Sequence, residues 1–149
     1  MEAALRLGNF EEAAGLARAQ LDDPKYGRRM DALDQAFATA RDKVRYGQAM
    51  LGSGKRMDAL LSLRDAEVFY RERLKLGAGD TGFRLDFARN LYQLARAQTE
   101  DEAGRAARLA LLNEAMGLLG GLTLEAQQLR DSRELIKWVT AARREVNAG

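Results

Sequence analysis

The sequence contains no cysteine, no histidine and a single proline, Pro24. Without cysteine the chain has neither a disulfide framework nor a zinc site built on thiolates. Without histidine it also lacks the commonest general base and the commonest metal ligand. With only one proline, long uninterrupted helices are permitted almost everywhere. The sequence therefore predicts a helical chain with no catalytic residue, no metal site and no cofactor, so we expect it not to be an enzyme.

The chain also lacks a long apolar run and a strong excess of either charge. No segment reaches the roughly 18 apolar residues that a membrane helix needs, and Glu2 and Arg6 interrupt any apolar run typical of a signal peptide. We therefore expect no membrane partner and, by default, a cytoplasmic location. Because the 24 basic residues are nearly balanced by 22 acidic residues, we also expect no general attraction to nucleic acid.

Ala, Leu, Arg and Glu dominate the composition, whereas Val and Ile are scarce, which favours helices over strands. The strongest pattern lies in Leu85–Leu119. Apolar residues recur at three- and four-residue steps in two segments, which predicts two amphipathic helices. Their predicted inner faces are Leu85, Ala88, Leu91, Tyr92 and Ala95, then Leu109, Leu112, Met116 and Leu119.

The two helices of this segment are separated by Thr99-Glu100-Asp101-Glu102. A Thr followed three residues later by Glu fits a capping box, so Thr99 is predicted to cap the second helix. Because the joint is short, the pair is predicted to fold back as an antiparallel hairpin.

The remaining helices follow from the same spacing rule. The longest pattern runs from Met30 to Leu51, with Leu33, Phe37, Ala40, Val44 and Gly47 between its ends. Gly47 costs helix stability by about 1 kcal/mol relative to Ala, which indicates a close contact at that position. A helix over Met57–Leu76 is predicted to use Met57, Leu60, Leu61, Val68, Phe69, Tyr70 and Leu74 for packing. After Gly120-Gly121, Thr123 is predicted to cap a last helix from Leu124 to about Val146, whose inner face includes Leu129, Leu135, Val139, Ala142 and Val146.

Two stretches resemble a known repeat family. Leu7-Gly8-Asn9-Phe10-Glu11-Glu12-Ala13 resembles the opening of the second helix of a tetratricopeptide (TPR) repeat, and the likeness continues loosely to Leu21. Ala59–Leu74 is similar to the second helix of long bacterial TPR-like repeats. A shift of 44 residues also places Gly77 on Gly121. This period exceeds the 34 residues of a standard TPR and overlaps that of HEAT repeats, which stay an alternative.

The resemblance implies one domain over residues 1–149, an all-α, right-handed α-solenoid of stacked helix pairs. The pairs are placed at about 1–22, 28–76 and 82–120, with a capping helix at about 124–147. TPR-like regions of this kind are appended to bacterial signalling proteins. Because the chain begins in the middle of a repeat, either Met1–Leu7 is the remnant of a preceding helix or the chain is a fragment of a longer protein.

Stacked helix pairs present an extended surface lined by the first helix of each pair, which suits a protein or peptide partner. On those helices the side chains outside the core are basic or amides, which predicts a groove for an acidic or carboxylate-bearing peptide. The predicted partner-binding residues are Arg41, Arg45, Gln48, Arg89, Gln93, Arg96, Arg133 and Lys137. The alternative is a structural, regulatory or oligomerisation domain of a larger bacterial signalling protein, with self-assembly into a homo-oligomer.

Overall fold

The computed structural model describes residues 31–77 and 79–148, and these residues form helices and turns without any strand. The helices are α1 (Ala32–Gly52), α2 (Arg56–Leu74), α3 (Thr81–Arg96), α4 (Glu102–Gly120), the short α5 (Leu124–Gln127) and α6 (Arg130–Ala148). The predicted all-α class is confirmed. The predicted pair at about 1–22, with its Gly8–Leu21 motif, lies outside the described residues, as does Met30.

Four of the helices begin at a side-chain cap that accepts a hydrogen bond from the backbone N–H three residues on. The caps and their distances are Asp31 at 2.8 Å, Asp80 at 2.9 Å, Asp101 at 2.8 Å and Thr123 at 3.1 Å. The prediction for Thr123 is confirmed, whereas the prediction for Thr99 is wrong. Asp101 caps α4 because its carboxylate reaches the backbone of Gly104, and the Thr99 hydroxyl donates to that carboxylate at 2.7 Å.

The chain divides into two compact units, Met1–Phe69 and Tyr70–Gly149, and the division falls within α2. In the first unit, α1 packs against the first part of α2 at a glycine. Gly47 is buried, and an added methyl group would lie 2.5 Å from Cγ of Leu63. The two backbones can approach this closely because Gly47 has no side chain.

Other contacts extend the α1–α2 pairing of the first unit along both helices. The rings of Phe37 and Phe69 meet edge to face, with centroids 5.0 Å apart. The Ser62 hydroxyl donates to the carbonyl of Lys43 at 2.7 Å, and the Lys43 ammonium lies 3.5 Å from the Asp65 carboxylate. The pairing is therefore held by aromatic and polar contacts as well as by the glycine.

The face that α2 buries differs from the predicted one. Its buried residues recur at steps of four, three and four: Ala59, Leu63, Ala66 and Tyr70. Three residues predicted to pack are instead exposed, namely Met57 at 66%, Leu61 at 69% and Val68 at 63%. Both sets have helical spacing, so periodicity alone does not decide which is inside. On α1, Leu33 is likewise exposed, while Ala40, Val44 and Gly47 are buried as predicted.

In the second unit, α3 and α4 form the predicted antiparallel hairpin. The Arg84 guanidinium at the start of α3 donates to the carbonyl of Leu118 at the end of α4, at 3.2 Å. The predicted inner faces are confirmed in their central positions, since Ala88, Leu91, Ala95, Leu112 and Leu119 are buried.

Helix α6 packs against α4 in the opposite direction. Arg105, near the start of α4, donates from Nε to the carbonyl of Val146 near the end of α6, at 2.9 Å. Helices α3 and α6 therefore run the same way, and α4 runs in the opposite direction to both. An aromatic cluster of Tyr70, Phe83 and Phe87 packs at the start of α3, and Arg71 there forms a two-pronged ion pair with Glu114, at 2.8 and 2.9 Å.

The last predicted helix is interrupted. Helix α5 ends at Gln127 and α6 begins at Arg130, so the single helix predicted from Leu124 to Val146 is wrong. Leu129 lies in the joint and is 55% exposed instead of facing the core. Leu135, Val139 and Val146, which follow the joint, are buried as predicted.

Candidate functional site

The end of α3, the start of α4 and the end of α6 enclose a cleft of about 340 Å³. This volume is at the lower end of the range for small-ligand sites. Its apolar lining consists of Ala95, Leu112, Ala142 and Val146. Its polar lining consists of Tyr92, Arg96, Glu100, Arg108 and Glu145. We call this site the Arg96 cleft.

Two arginines reach the Arg96 cleft from different helices. Arg96 is the last residue of α3, and its guanidinium donates to the side-chain oxygen of Gln93 at 2.9 Å. Arg108 belongs to α4, and its Nη1 lies 3.2 Å from the carboxylate of Glu100. Each guanidinium has five donor hydrogens, so these contacts leave donors for a carboxylate in the cleft.

The cleft is not uniformly basic, because two carboxylates line it beside the two arginines. Glu100 is 90% exposed and pairs with Arg108. Glu145 lies in the last turn of α6, and within residues 31–77 and 79–148 no basic side chain comes within ion-pair distance of it. The lining therefore carries equal numbers of positive and negative side chains.

An aromatic pair borders the cleft. Trp138, the single tryptophan of the chain, stacks on Tyr92 with ring centroids 6.2 Å apart and 26° between the planes. Trp138 remains 46% exposed. Trp, Tyr and Arg are the residue types enriched among those that dominate binding energy at protein interfaces.

Burial raises the pKa of Tyr92 above its ordinary value of 10.0, the positive charge of Arg96 lowers it and the carboxylate of Glu145 raises it. Burial acts on the phenol because it disfavours the charged phenolate. Both charged neighbours therefore act on the tyrosine hydroxyl at the edge of the cleft.

This pKa predicts a loss of stability at alkaline pH. Below pH 10 the phenol is protonated in both the folded and the unfolded chain, so it has no effect on the pH dependence. Above pH 10 the unfolded chain releases the proton first, and folding stability falls until the pH passes the folded-state pKa. We expect Tyr92→Phe to lose less stability than the wild type between about pH 9.5 and pH 11, as measured by urea midpoints. Equal losses in the two proteins would contradict this assignment.

Three of the predicted partner-binding residues lie on α1 in the first unit. Arg41, Arg45 and Gln48 are partly exposed. Arg45 lies 3.3 Å from the carboxylate of Asp42, which is itself only 1% exposed. Arg45 therefore compensates a buried charge on its own helix.

The other five predicted residues lie in the second unit, on α3 and α6. Arg89 lies 3.5 Å from Asp86 and 3.8 Å from Asp131, so it links α3 to the start of α6. Gln93 is 5% exposed, and its side chain holds Arg96. Arg133 and Lys137 are exposed on α6, two residues before the buried Leu135 and Val139, and so on the outer face.

Of the five, only Arg96 lines the cleft. Sequence reasoning did not select Arg108, Trp138 or Glu145 as site residues. Arg108 and Glu145 lie in helices that only the folded chain brings next to Arg96, and no local spacing signals that. The identity of Trp138 alone could have indicated a contact residue, since tryptophan is enriched among the residues that dominate binding energy at interfaces.

Two classes of site are absent from the described parts of the chain. No group of three or more acidic side chains there is arranged to hold a metal ion. None of the helices in residues 31–77 and 79–148 combines the length and the hydropathy of a membrane span. Comparison of the chain with protein-family models, curated proteins and solved structures finds no match, so the residues of the cleft carry the functional conclusion by themselves.

Proposed function

We propose that the chain is a non-catalytic protein-interaction module that binds a carboxylate-bearing segment of a partner protein in the Arg96 cleft. The observation that carries the proposal is that Arg96 and Arg108, from different helices, line one cleft with unused donor hydrogens. Charge-assisted hydrogen bonds from guanidinium to carboxylate are among the strongest polar contacts in proteins.

The exposed edge of Trp138 supports the same function. An aromatic ring that is 46% exposed, and fixed by stacking on Tyr92, offers an apolar contact at little entropic cost. The partner segment would therefore place an apolar side chain over Trp138 and a carboxylate between Arg96 and Arg108. The antiparallel α3–α4 hairpin followed by α6 in the direction of α3 is compatible with a TPR-like array, which we propose as the architecture.

Reversing the charge of Arg96 tests the proposal. We expect Arg96→Glu to weaken binding of the peptide acetyl-Glu-Glu-Leu-Phe-Glu-Glu-amide by about tenfold or more, because a charge-assisted contact is replaced by repulsion. The peptide has no tryptophan, so the fluorescence of Trp138 reports its binding. Affinity should also fall in about 0.5 M sodium chloride, which screens the contact.

Arg133→Glu is the matched control, because it makes the same charge change on the outer face of α6. It should leave the affinity within about twofold of the wild type. Arg89 is unsuitable for a clean test, since its reversal also breaks the pairs with Asp86 and Asp131. Equal binding by the wild type and Arg96→Glu, or no binding at about 1 mM peptide, would contradict the proposal.

A further inference from the structure

The carboxylates that line the Arg96 cleft influence which charges a bound segment can carry. Arg108 already has Glu100 as a partner at 3.2 Å, whereas Glu145, which also lines the cleft, has no ion pair within residues 31–77 and 79–148. A uniformly acidic ligand would satisfy Arg96 but would bring a second negative charge towards Glu145. Like charges at close range oppose binding.

The lining of the cleft carries charges of opposite sign on two different helices. Arg96 is the last residue of α3, and Glu145 is in the last turn of α6. Tyr92 also lines the cleft, and the charges of both side chains act on its phenol. A ligand that fills the cleft therefore meets a positive and a negative side chain together.

We infer that the cleft selects a segment of mixed charge, in which a carboxylate meets Arg96 and a neighbouring lysine or arginine meets Glu145. The inference rests on the proposed function and deepens it, because it specifies the chemistry of the partner. The partner surface is thus dipolar, with an apolar residue for Trp138 and basic and acidic residues on either side of it. Complementary charge patterns of this kind contribute specificity more than affinity.

Two peptides without tryptophan test the inference through the fluorescence of Trp138. One is the acidic acetyl-Glu-Glu-Leu-Phe-Glu-Glu-amide, and the other is the mixed acetyl-Glu-Glu-Leu-Phe-Lys-Lys-amide. We expect the wild-type chain to bind the mixed peptide about fivefold more tightly than the acidic one, the effect of one additional exposed ion pair. In Glu145→Gln this preference should disappear, because the amide cannot pair with the lysine.

The control is Glu125→Gln, which removes one exposed negative charge on α5 outside the cleft lining. It should retain the preference for the mixed peptide, and circular dichroism should show the same helix content in all the variants. A wild-type preference for the acidic peptide, equal affinities, or a preference that survives in Glu145→Gln would overturn the inference. Those outcomes leave the proposed function standing if Arg96→Glu still weakens binding of the acidic peptide, so the two failures are distinguishable.

Discussion

Replacing Gly104 with alanine is expected to destabilise the chain by about 3 kcal/mol, the upper end of the usual range for overpacking. Gly104 is buried in the first turn of α4. An added methyl group would collide with the backbone carbonyl oxygen and the hydroxyl of Thr99, and would lie 2.7 Å from its carbonyl carbon. Backbone cannot rotate away as a side chain can, so the connection before α4 or the cap at Asp101 must move.

Gly117→Ala is the control for this substitution. It makes the same change in the same helix, at an exposed position where a methyl group meets no atom within 4 Å. Alanine there should raise stability by about 0.5–1 kcal/mol through helix propensity. The measurement is thermal unfolding, in which Gly104→Ala should lower Tm by about 10 °C. A Tm that rises in both variants would contradict the assigned packing at Thr99.

Replacing Gly47 with alanine is expected to destabilise the first unit by about 2 kcal/mol, net of the gain of about 1 kcal/mol in helix propensity. The new methyl group would lie 2.5 Å from Cγ and 2.7 Å from Cδ2 of Leu63, whose side chain is fully buried. Because Leu63 is enclosed, it has little freedom to change its rotamer, and α1 and α2 must separate instead.

A double-mutant cycle separates this contact from a general effect of Gly47 on the helix. Leu63→Ala alone should cost about 3 kcal/mol, because it leaves a cavity against Gly47. In Gly47→Ala combined with Leu63→Ala, the methyl group occupies part of that cavity. The total loss, measured by urea unfolding, should then be smaller than the sum of the two single losses by about 1–2 kcal/mol. Additive losses would show that the two positions do not interact.

The fold was predictable where one apolar face outweighs the others. On α3, Ala88, Leu91 and Ala95 form one stripe, and the structure buries it. On α2, two stripes of similar spacing compete, and the outer one includes the large apolar side chains of Met57 and Leu61. The packing of Leu63 against Gly47 decides between the two stripes, and the sequence of α2 alone does not contain that information.

The prediction of a helix start failed where two neighbouring polar residues could each cap the helix. Thr99 and Asp101 both qualify as caps, and the carboxylate of Asp101 reaches the free N–H groups of α4. The break at Leu129 carries no glycine or proline, so no local signal interrupts the apolar pattern.

The candidate site was predictable only in part. Arg96 follows from its place on the polar edge of an amphipathic helix. Its neighbours Arg108 and Glu145 follow from how α4 and α6 pack, since they are 12 and 49 residues further along the chain. The prediction of a basic, amide-rich groove selected only basic and amide side chains on its lining helices, so it omitted Glu145 of α6 and Glu100 of the α3–α4 connection, which also line the cleft.

The alternating directions of α3, α4 and α6 have an electrostatic consequence at the cleft. Two helices end there and one begins there, so the carboxyl ends of α3 and α6 contribute partial negative charge and the amino end of α4 contributes partial positive charge. Arg96 offsets the first of these ends, whereas the last turn of α6 contains no basic residue and does contain Glu145. The Arg105 guanidinium donates to the carbonyl of Val146 and offsets part of this negative end, and the remainder favours a cation beside Glu145 by less than about 1 kcal/mol. A bound segment with both charges is consequently oriented, with its carboxylate towards the amino end of α4 and its cation towards the carboxyl end of α6.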